Sequence, residues 1–295
     1  MSLRLEMLQV ARVAPKVLGE AAELVREFLL GQQNDDGGFK DRAGKSDLYY
    51  TVFGLDALMV FDEAANVDGV EVFLKSFGEG EDLDLVHLSC LTRCWGAIGR
   101  ERMPKGLRKN LLSRLENFRK PCGGWDNDPK KEHGTAYGSF LALGAYRDMS
   151  KLPPKPLRIL QSLKRLETPD HAWNNAPNMP VGSTNPTAGA VVLLNNLHLP
   201  INADCGQWLR ARLHAQGGFV AVPDAPMPDL LSTATALHAL AALDVRLTAE
   251  ETERCLDFVD SLWDAGGGFH GHWSDDYLDC EYTFYGLLAL GHLSL

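Results

Sequence analysis

One phrase recurs along this chain, and it constrains the fold more than any other feature. Thr51-Val-Phe-Gly-Leu-Asp-Ala-Leu58, Thr135-Ala-Tyr-Gly-Ser-Phe-Leu-Ala-Leu143, Thr187-Ala-Gly-Ala-Val-Val-Leu-Leu194, Thr233-Ala-Thr-Ala-Leu-His-Ala-Leu240 and Thr283-Phe-Tyr-Gly-Leu-Leu-Ala-Leu290 are variants of it, with a weaker copy at Ser89-Cys-Leu-Thr-Arg-Cys-Trp-Gly-Ala-Ile98. The starts lie 38 to 52 residues apart, long enough for two helices and two turns per repeat. Small and apolar residues occupy nearly every face of the phrase, as a helix surrounded by other helices requires. Amphipathic, more charged segments alternate with these inner helices: residues 20–30, 67–77, 105–119, 154–166, 203–214 and 249–262. They read as outer helices with one apolar stripe. Asn202 and Thr248 stand at N-cap positions, and Thr248 with Glu251 forms a capping-box pattern.

A second signature marks the turns from outer to inner helix: Gly37-Gly-Phe39, Gly123-Gly-Trp125, Gly217-Gly-Phe219 and Gly267-Gly-Phe269. Paired glycines permit positive φ and close backbone approach, and the aromatic that follows plugs the gap between helix pairs. Two corners are irregular, the short acidic 79–84 and the long Asn/Pro-rich 168–186 with Trp173 as its plug. A helix pair cannot bury its inner helix alone, so the pairs must stack. The last phrase ends five residues before the final residue with no polar capping repeat, which predicts closure: an all-α (α/α)6 barrel, or toroid, of six inner and six outer helices in one domain, 1–295.

The net charge of −10 argues against nucleic acid or anionic membranes as partners. No stretch approaches the ~20 apolar residues of a membrane span, and the N-terminal residues carry no secretory h-region. Six dispersed cysteines read as reduced thiols in a cytoplasmic protein, with Cys90 and Cys94 as core residues.

The glycine-glycine-aromatic turn, an acidic residue roughly a dozen positions on and the T-x-x-G-L-x-A-L helix together resemble the repeat of protein prenyltransferase β subunits, which squalene/hopene cyclases share. The resemblance covers nearly all of residues 32–293. It implies an apolar cavity taking an isoprenoid diphosphate, zinc activating a thiol, prenyl transfer to an acceptor such as a protein, and a helical α-type partner subunit. Arg42 and Lys45 match the family's diphosphate-binding positions, and Asp47 and Tyr50 match its zinc aspartate and tyrosine, while Tyr49 replaces the zinc cysteine. His133 matches the diphosphate histidine. In Asp279-Cys280-Glu281-Tyr282 the zinc motif recurs with its cysteine one residue early and Glu281 at the ligand position. The resemblance therefore gives Asp47, Tyr50, Asp279 and Tyr282 as catalytic candidates. Asp279, Cys280, Glu281 and His272 are the zinc candidates.

Beside these, Asp275-Asp276-Tyr-Leu-Asp279 has the D-D-x-x-D form that holds diphosphate through Mg²⁺. The D-x-D-D acid of type II terpene cyclases is absent, the nearest sequence being Asp82-Leu-Asp84. Tyr49, Trp125 and Tyr137 are candidates to line the cavity, where aromatic faces stabilise a carbocation. The alternatives to prenyl transfer are a terpenoid cyclase-like enzyme without zinc and a non-catalytic toroid that binds a protein or a lipid.

Overall fold

The computed structural model describes residues 2–295. Two short helices, α1 (Leu3–Ala11) and α2 (Ala14–Leu18), precede the outer helix α3 (Ala21–Gly31) and a two-residue hairpin of β1 (Phe39–Lys40) and β2 (Ser46–Asp47). Inner and outer helices then alternate: α4 (Leu48–Val60), α5 (Val67–Lys75), α6 (Leu85–Ile98), α7 (Leu107–Leu115), α8 (Ala136–Asp148), α9 (Arg158–Lys164), α10 (Thr184–Asn196), α11 (Asp204–Arg210), α12 (Leu230–Ala242), α13 (Ala249–Asp260) and α14 (Cys280–Leu293). The even-numbered helices from α4 to α14 are the inner ones. Each packs on the next, and α14 packs on α4, so the ring is closed.

The repeated phrase does its work through one device. In the first turn the backbone N–H of Phe39 donates to Thr51 Oγ1 at 3.0 Å. Trp173 donates likewise to Thr187, Phe219 to Thr233 and Phe269 to Thr283. The hydroxyls of Thr51, Thr187 and Thr233 in turn donate to the backbone carbonyls of Asp47, Trp173 and Asp229. All five aromatics, Trp125 included, are buried, and the rings of Phe39 and Phe269 lie on a glycine one turn along the inner helix. A Cβ on Gly54 would sit 2.1 Å from the Phe39 ring, and one on Gly286 2.8 Å from Phe269.

The third repeat shifts the reading of the phrase. Trp125 N donates to Ser139 Oγ at 3.4 Å, so Ser139 takes the place of Thr51, whereas Thr135 is the helix N-cap, its side chain accepting from Gly138 N. Trp173 serves as a full plug despite lacking the glycine pair, with its indole N–H on Leu163 O just as the indole of Trp125 is on Leu115 O. Among the described residues, only the acidic corner before α6 has no aromatic plug.

The first glycine of each pair holds neighbouring repeats together. Gly37, Gly123, Gly217 and Gly267 all have positive φ, and a Cβ there would strike the backbone of the next outer helix at Gly69, Arg158, Arg254 and Leu24 respectively. Leu24 lies on α3, so the last turn seats on the first outer helix and completes the circle.

Several outer helices are shorter than their sequence segments. Pro153, Pro154 and Pro156 keep the start of the fourth segment out of the helix, and the third ends in a 3-10 turn at Glu116–Phe118. Thr248 and Glu251 form the predicted capping box. Asn202 makes instead a local turn to Asp204 N, without capping α11. All six cysteines are buried and unpaired. No helix among the described residues is long and apolar enough to cross a membrane.

One element lies outside the repeats. Helix α1 crosses the C-terminal ends of the inner helices and plugs the ring. Arg4 Nη1 pairs with Asp56 of α4 at 2.9 Å, and its Nε lies 3.7 Å from Asp148 at the end of α8. Arg93 of α6 faces the same two aspartates. All four charges are largely buried, and their mutual neutralisation offsets the desolvation cost.

Gly54→Ala should lower stability by ~1–3 kcal/mol through overpacking against Phe39. Gly144→Ala, where a Cβ meets nothing within 4 Å, should raise stability by ~0.5–1 kcal/mol. Denaturant melts of the two variants test the assignment of the contact.

Candidate active site

The inner helices point their N-terminal ends to one face of the ring, opposite α1. Five of the six starts are capped by a local side chain, Thr135 serving α8 and only α10 having none. Asp47 Oδ1 accepts from Tyr49 N and Tyr50 N, Asp84 from His87 N, Asp229 from Ser232 N and Asp279 from Tyr282 N. Asp47 and Asp279, catalytic candidates by resemblance, are thus helix caps first.

The rim is acidic, and its cations are shared between carboxylates. Arg42, from the β1–β2 hairpin, pairs with Asp275 and Asp279 at 2.9 Å each and lies over the rings of Tyr277 and Tyr282. This cluster ties the first turn to the last across the seam of the ring. His87, which the sequence reading passed over, has Nδ1 2.8 Å from Asp84 and Nε2 3.5 Å from Asp47. Its hydrogen bond to Asp47, and that to Asp84, hold its pKa up at about 9, so it is an imidazolium at neutral pH. Lys45 is exposed on the hairpin turn. His133 lies in the turn before α8 with Nδ1 3.3 Å from the Gly134 carbonyl. Of the expected diphosphate clamp of Arg42, Lys45 and His133, Arg42 is already paired with two carboxylates.

The zinc candidates do not converge. Asp279 caps α14 and holds Arg42, while His272 Nδ1 accepts from Ser274 N. Cys280 is buried in the core, where burial pushes its thiol well up. Among the described residues no three His, Cys, Asp or Glu side chains are grouped to hold a metal ion, so the ligand set does not fit zinc. Asp275 and Asp279 of the D-D-x-x-D run both face Arg42, which takes the place a divalent cation would have.

The two residues that break the zinc pattern meet instead. Tyr49 Oη donates to Glu281 Oε1 at 2.6 Å, joining the first turns of α4 and α14. Burial pushes the Glu281 carboxyl up to about 7, against the opposing pull of the Tyr49 hydrogen bond. A carboxyl that titrates near neutrality is suited to giving or taking a proton.

Behind Tyr49 opens the central cavity of about 320 Å³. Tyr137, Asn175, Asn185 and Leu231 stand at its mouth, Tyr49, Phe140 and Tyr285 on its wall, and Val192, His238 and Leu288 deeper, with Met7 of α1 as the floor. From Asn185 to Val192 along α10, or Leu231 to His238 along α12, is roughly 10 Å at 1.5 Å per residue. His238 Nδ1 lies 3.0 Å from His292 Nε2, and burial holds these imidazoles down at about 4 and about 3, both neutral. Tyr137 and Tyr49 line this cavity. Trp125 does not, being a fully buried turn plug with Arg119 over its ring. Tyr50 and Tyr282 belong to the Arg42 rim.

A closed ring of six inner and six outer helices defines an α/α toroid. The chain matches the prenyltransferase alpha-alpha toroid domain over residues 16–90 and 187–293, more than half its length, and it belongs to that family. No curated protein matches it. Among solved structures, the type II terpene cyclase MstE from Scytonema superposes with a TM-score of 0.63 at 14% identity, covering 94% of this chain and 97% of the cyclase. A variant of that cyclase in complex with the product merosterolic acid A gives 0.65 at 15%, covering 95% and 97%. An α-1,6-mannanase from Salegentibacter gives 0.60 at 13%, covering 94% and 98%. At these identities the likeness is one of fold.

Glu281 has its pKa raised from about 4.5 unfolded to about 7 folded, so the folded state binds the extra proton and this group's contribution falls as pH rises between those values. Glu281→Gln removes that penalty. The melting temperature of the variant relative to the parent should therefore rise from pH 5 to pH 8, and a constant difference across that range contradicts the assignment.

Proposed function

We propose that this chain is an isoprenoid-handling enzyme that takes an uncharged prenyl or terpenoid molecule into the central cavity and works without zinc. The cavity carries the reading: an apolar space two helical turns deep, walled by Tyr49, Phe140 and Tyr285 and closed below. Burial of a hydrocarbon there is favourable by about 25 cal/mol per Å², and the aromatic faces stabilise positive charge developing on its carbons. Among the polar groups of the lining, Tyr49 is the one hydrogen-bonded to a carboxyl, with Glu281 as its proton partner. Together they supply the acid–base step of an isomerisation, cyclisation or elimination. A tight pair of hydrogen-bonded groups beside an otherwise apolar surface orients a ligand with one polar end.

Two other ligand classes fit less well. A saccharide, the substrate type of the mannanase neighbour, carries hydroxyls on every face, and this lining is too apolar to satisfy them. A diphosphate meets a rim on which Arg42 and His87 are each shared by two carboxylates. Prenyl transfer from a diphosphate remains the second reading, favoured by membership of the family and by Lys45 and His133 at matching positions.

Calorimetric titration with farnesol and with farnesyl diphosphate separates the two. The proposal predicts that farnesol binds at least as tightly as the diphosphate and that Lys45→Ala combined with His133→Ala changes neither affinity by more than about twofold. Arg42 is left intact because it holds the seam. Diphosphate binding a hundredfold tighter than the alcohol, and lost in the double variant, establishes the prenyl-diphosphate reading instead.

A further inference from the structure

We infer that helix α1, an element outside the six helix pairs, sets the length of the molecule the toroid accepts, with Met7 as the residue that ends the cavity. The inference rests on reading the central cavity as the ligand site.

Three observations converge on Met7. First, α1 is fastened across the C-terminal ends of the inner helices on several sides. Arg4 binds Asp56 of α4, Asn196 at the end of α10 donates from Nδ2 to Glu6 Oε1 at 3.1 Å, and Gly291 of α14 packs so closely on Val10 that a Cβ there would lie 2.2 Å from the Val10 carbonyl. The floor is thus a fixed part of the structure. Second, Met7 lies between the fastened residues and faces the main cavity. Third, it also lines a side chamber of about 50 Å³ toward Cys90 and Arg93, which shares Tyr49, Tyr137, Phe140 and Tyr285 with the main cavity. The thioether stands where the two spaces meet.

Shortening Met7 removes three heavy atoms from the floor and opens the main cavity toward the side chamber. Nothing else at that depth moves, because the walls belong to the inner helices and the floor to α1. A longer hydrocarbon then buries methylenes that the parent leaves outside, at ~0.8 kcal/mol each, so two more methylenes give on the order of tenfold tighter binding. Met7 also has the adaptable, unbranched side chain suited to closing an irregular space. Arg4, which lines the side chamber, is neutralised by its aspartates and adds no selection for a charged tail.

The test is binding of two graded series, n-alkanols and linear prenyl alcohols of increasing length, to the parent and to Met7→Ala, Met7→Val and Met7→Trp, with melting curves to confirm folding. The expected result is a length optimum that moves up in Met7→Ala by two or more carbons with about tenfold tighter binding of the longer ligand. It moves up by less in Met7→Val and moves down in Met7→Trp. An identical length optimum in all folded variants overturns the inference while leaving the cavity reading intact. If alkanols show the shift but prenyl alcohols bind nowhere, the length limit stands and the isoprenoid reading fails. If neither series binds the parent, both fail. The opposite expectations for Met7→Val and Met7→Trp keep the test decisive if Met7→Ala does not fold.

Discussion

The structure depends on one backbone hydrogen bond repeated around a circle. In each plugged corner the N–H of a turn aromatic meets a Thr or Ser hydroxyl on the inner helix, and at Phe39 and Phe269 the ring settles on a glycine of the same helix. A buried backbone donor without a partner costs ~1–3 kcal/mol, so the hydroxyl is required wherever the aromatic is sealed from water. The bond sets the angle between turn and inner helix. The preceding glycine, pressed on the backbone of the next outer helix, sets the rotation from one pair to the next. Gly267 against Leu24 shows that these rotations sum to a closed ring. The hole through the inner helices follows from the geometry of the repeats, and its contents are free to vary.

That freedom explains the division between frame and site. Asp47, Asp84, Asp229 and Asp279 are required as caps because each inner helix begins at the open face with unsatisfied N–H groups. They also make the rim negative, and Arg42 and His87 are retained there as counter-ions. The helix N-termini that favour an anion are therefore already served by side chains. Deeper in, no cap is needed, and apolar and aromatic residues take over. The zinc chemistry of the resembling β subunits requires a thiolate exposed at this rim, and here the thiol of Cys280 is turned into the core while Tyr49 and Glu281 bond to each other.

Much of the frame was legible in the sequence because the repeat is local: a hydroxyl, a small residue three positions on and an aromatic about fourteen residues earlier. The alignment slipped at Thr135, where a capping Thr imitates the accepting hydroxyl and Ser139 carries it. Trp173 was recognised as a plug without its glycines because its size and isolation in a polar loop leave it few other places. The site was legible only in part. Tyr49 and Glu281 were each visible as departures from a motif, but they are 232 positions apart and only ring closure makes them neighbours. His87 carries no motif, and its significance comes from two caps that converge on it in space. Helix α1 was missed because its sequence mixes Arg4 and Glu6 with apolar residues like any surface helix, and Arg4 is buried by partners far along the chain.

The account stands on a neutral hydrocarbon ligand lying inside the ring with its polar end at Tyr49. The most direct measurement is a crystal structure of the protein soaked with farnesol. The account predicts density running from Tyr137 and Tyr49 down to Met7, with the hydroxyl within hydrogen-bond distance of the Tyr49–Glu281 pair. Density confined to the rim beside Arg42, Lys45 or His133, with the cavity filled only by water, contradicts it.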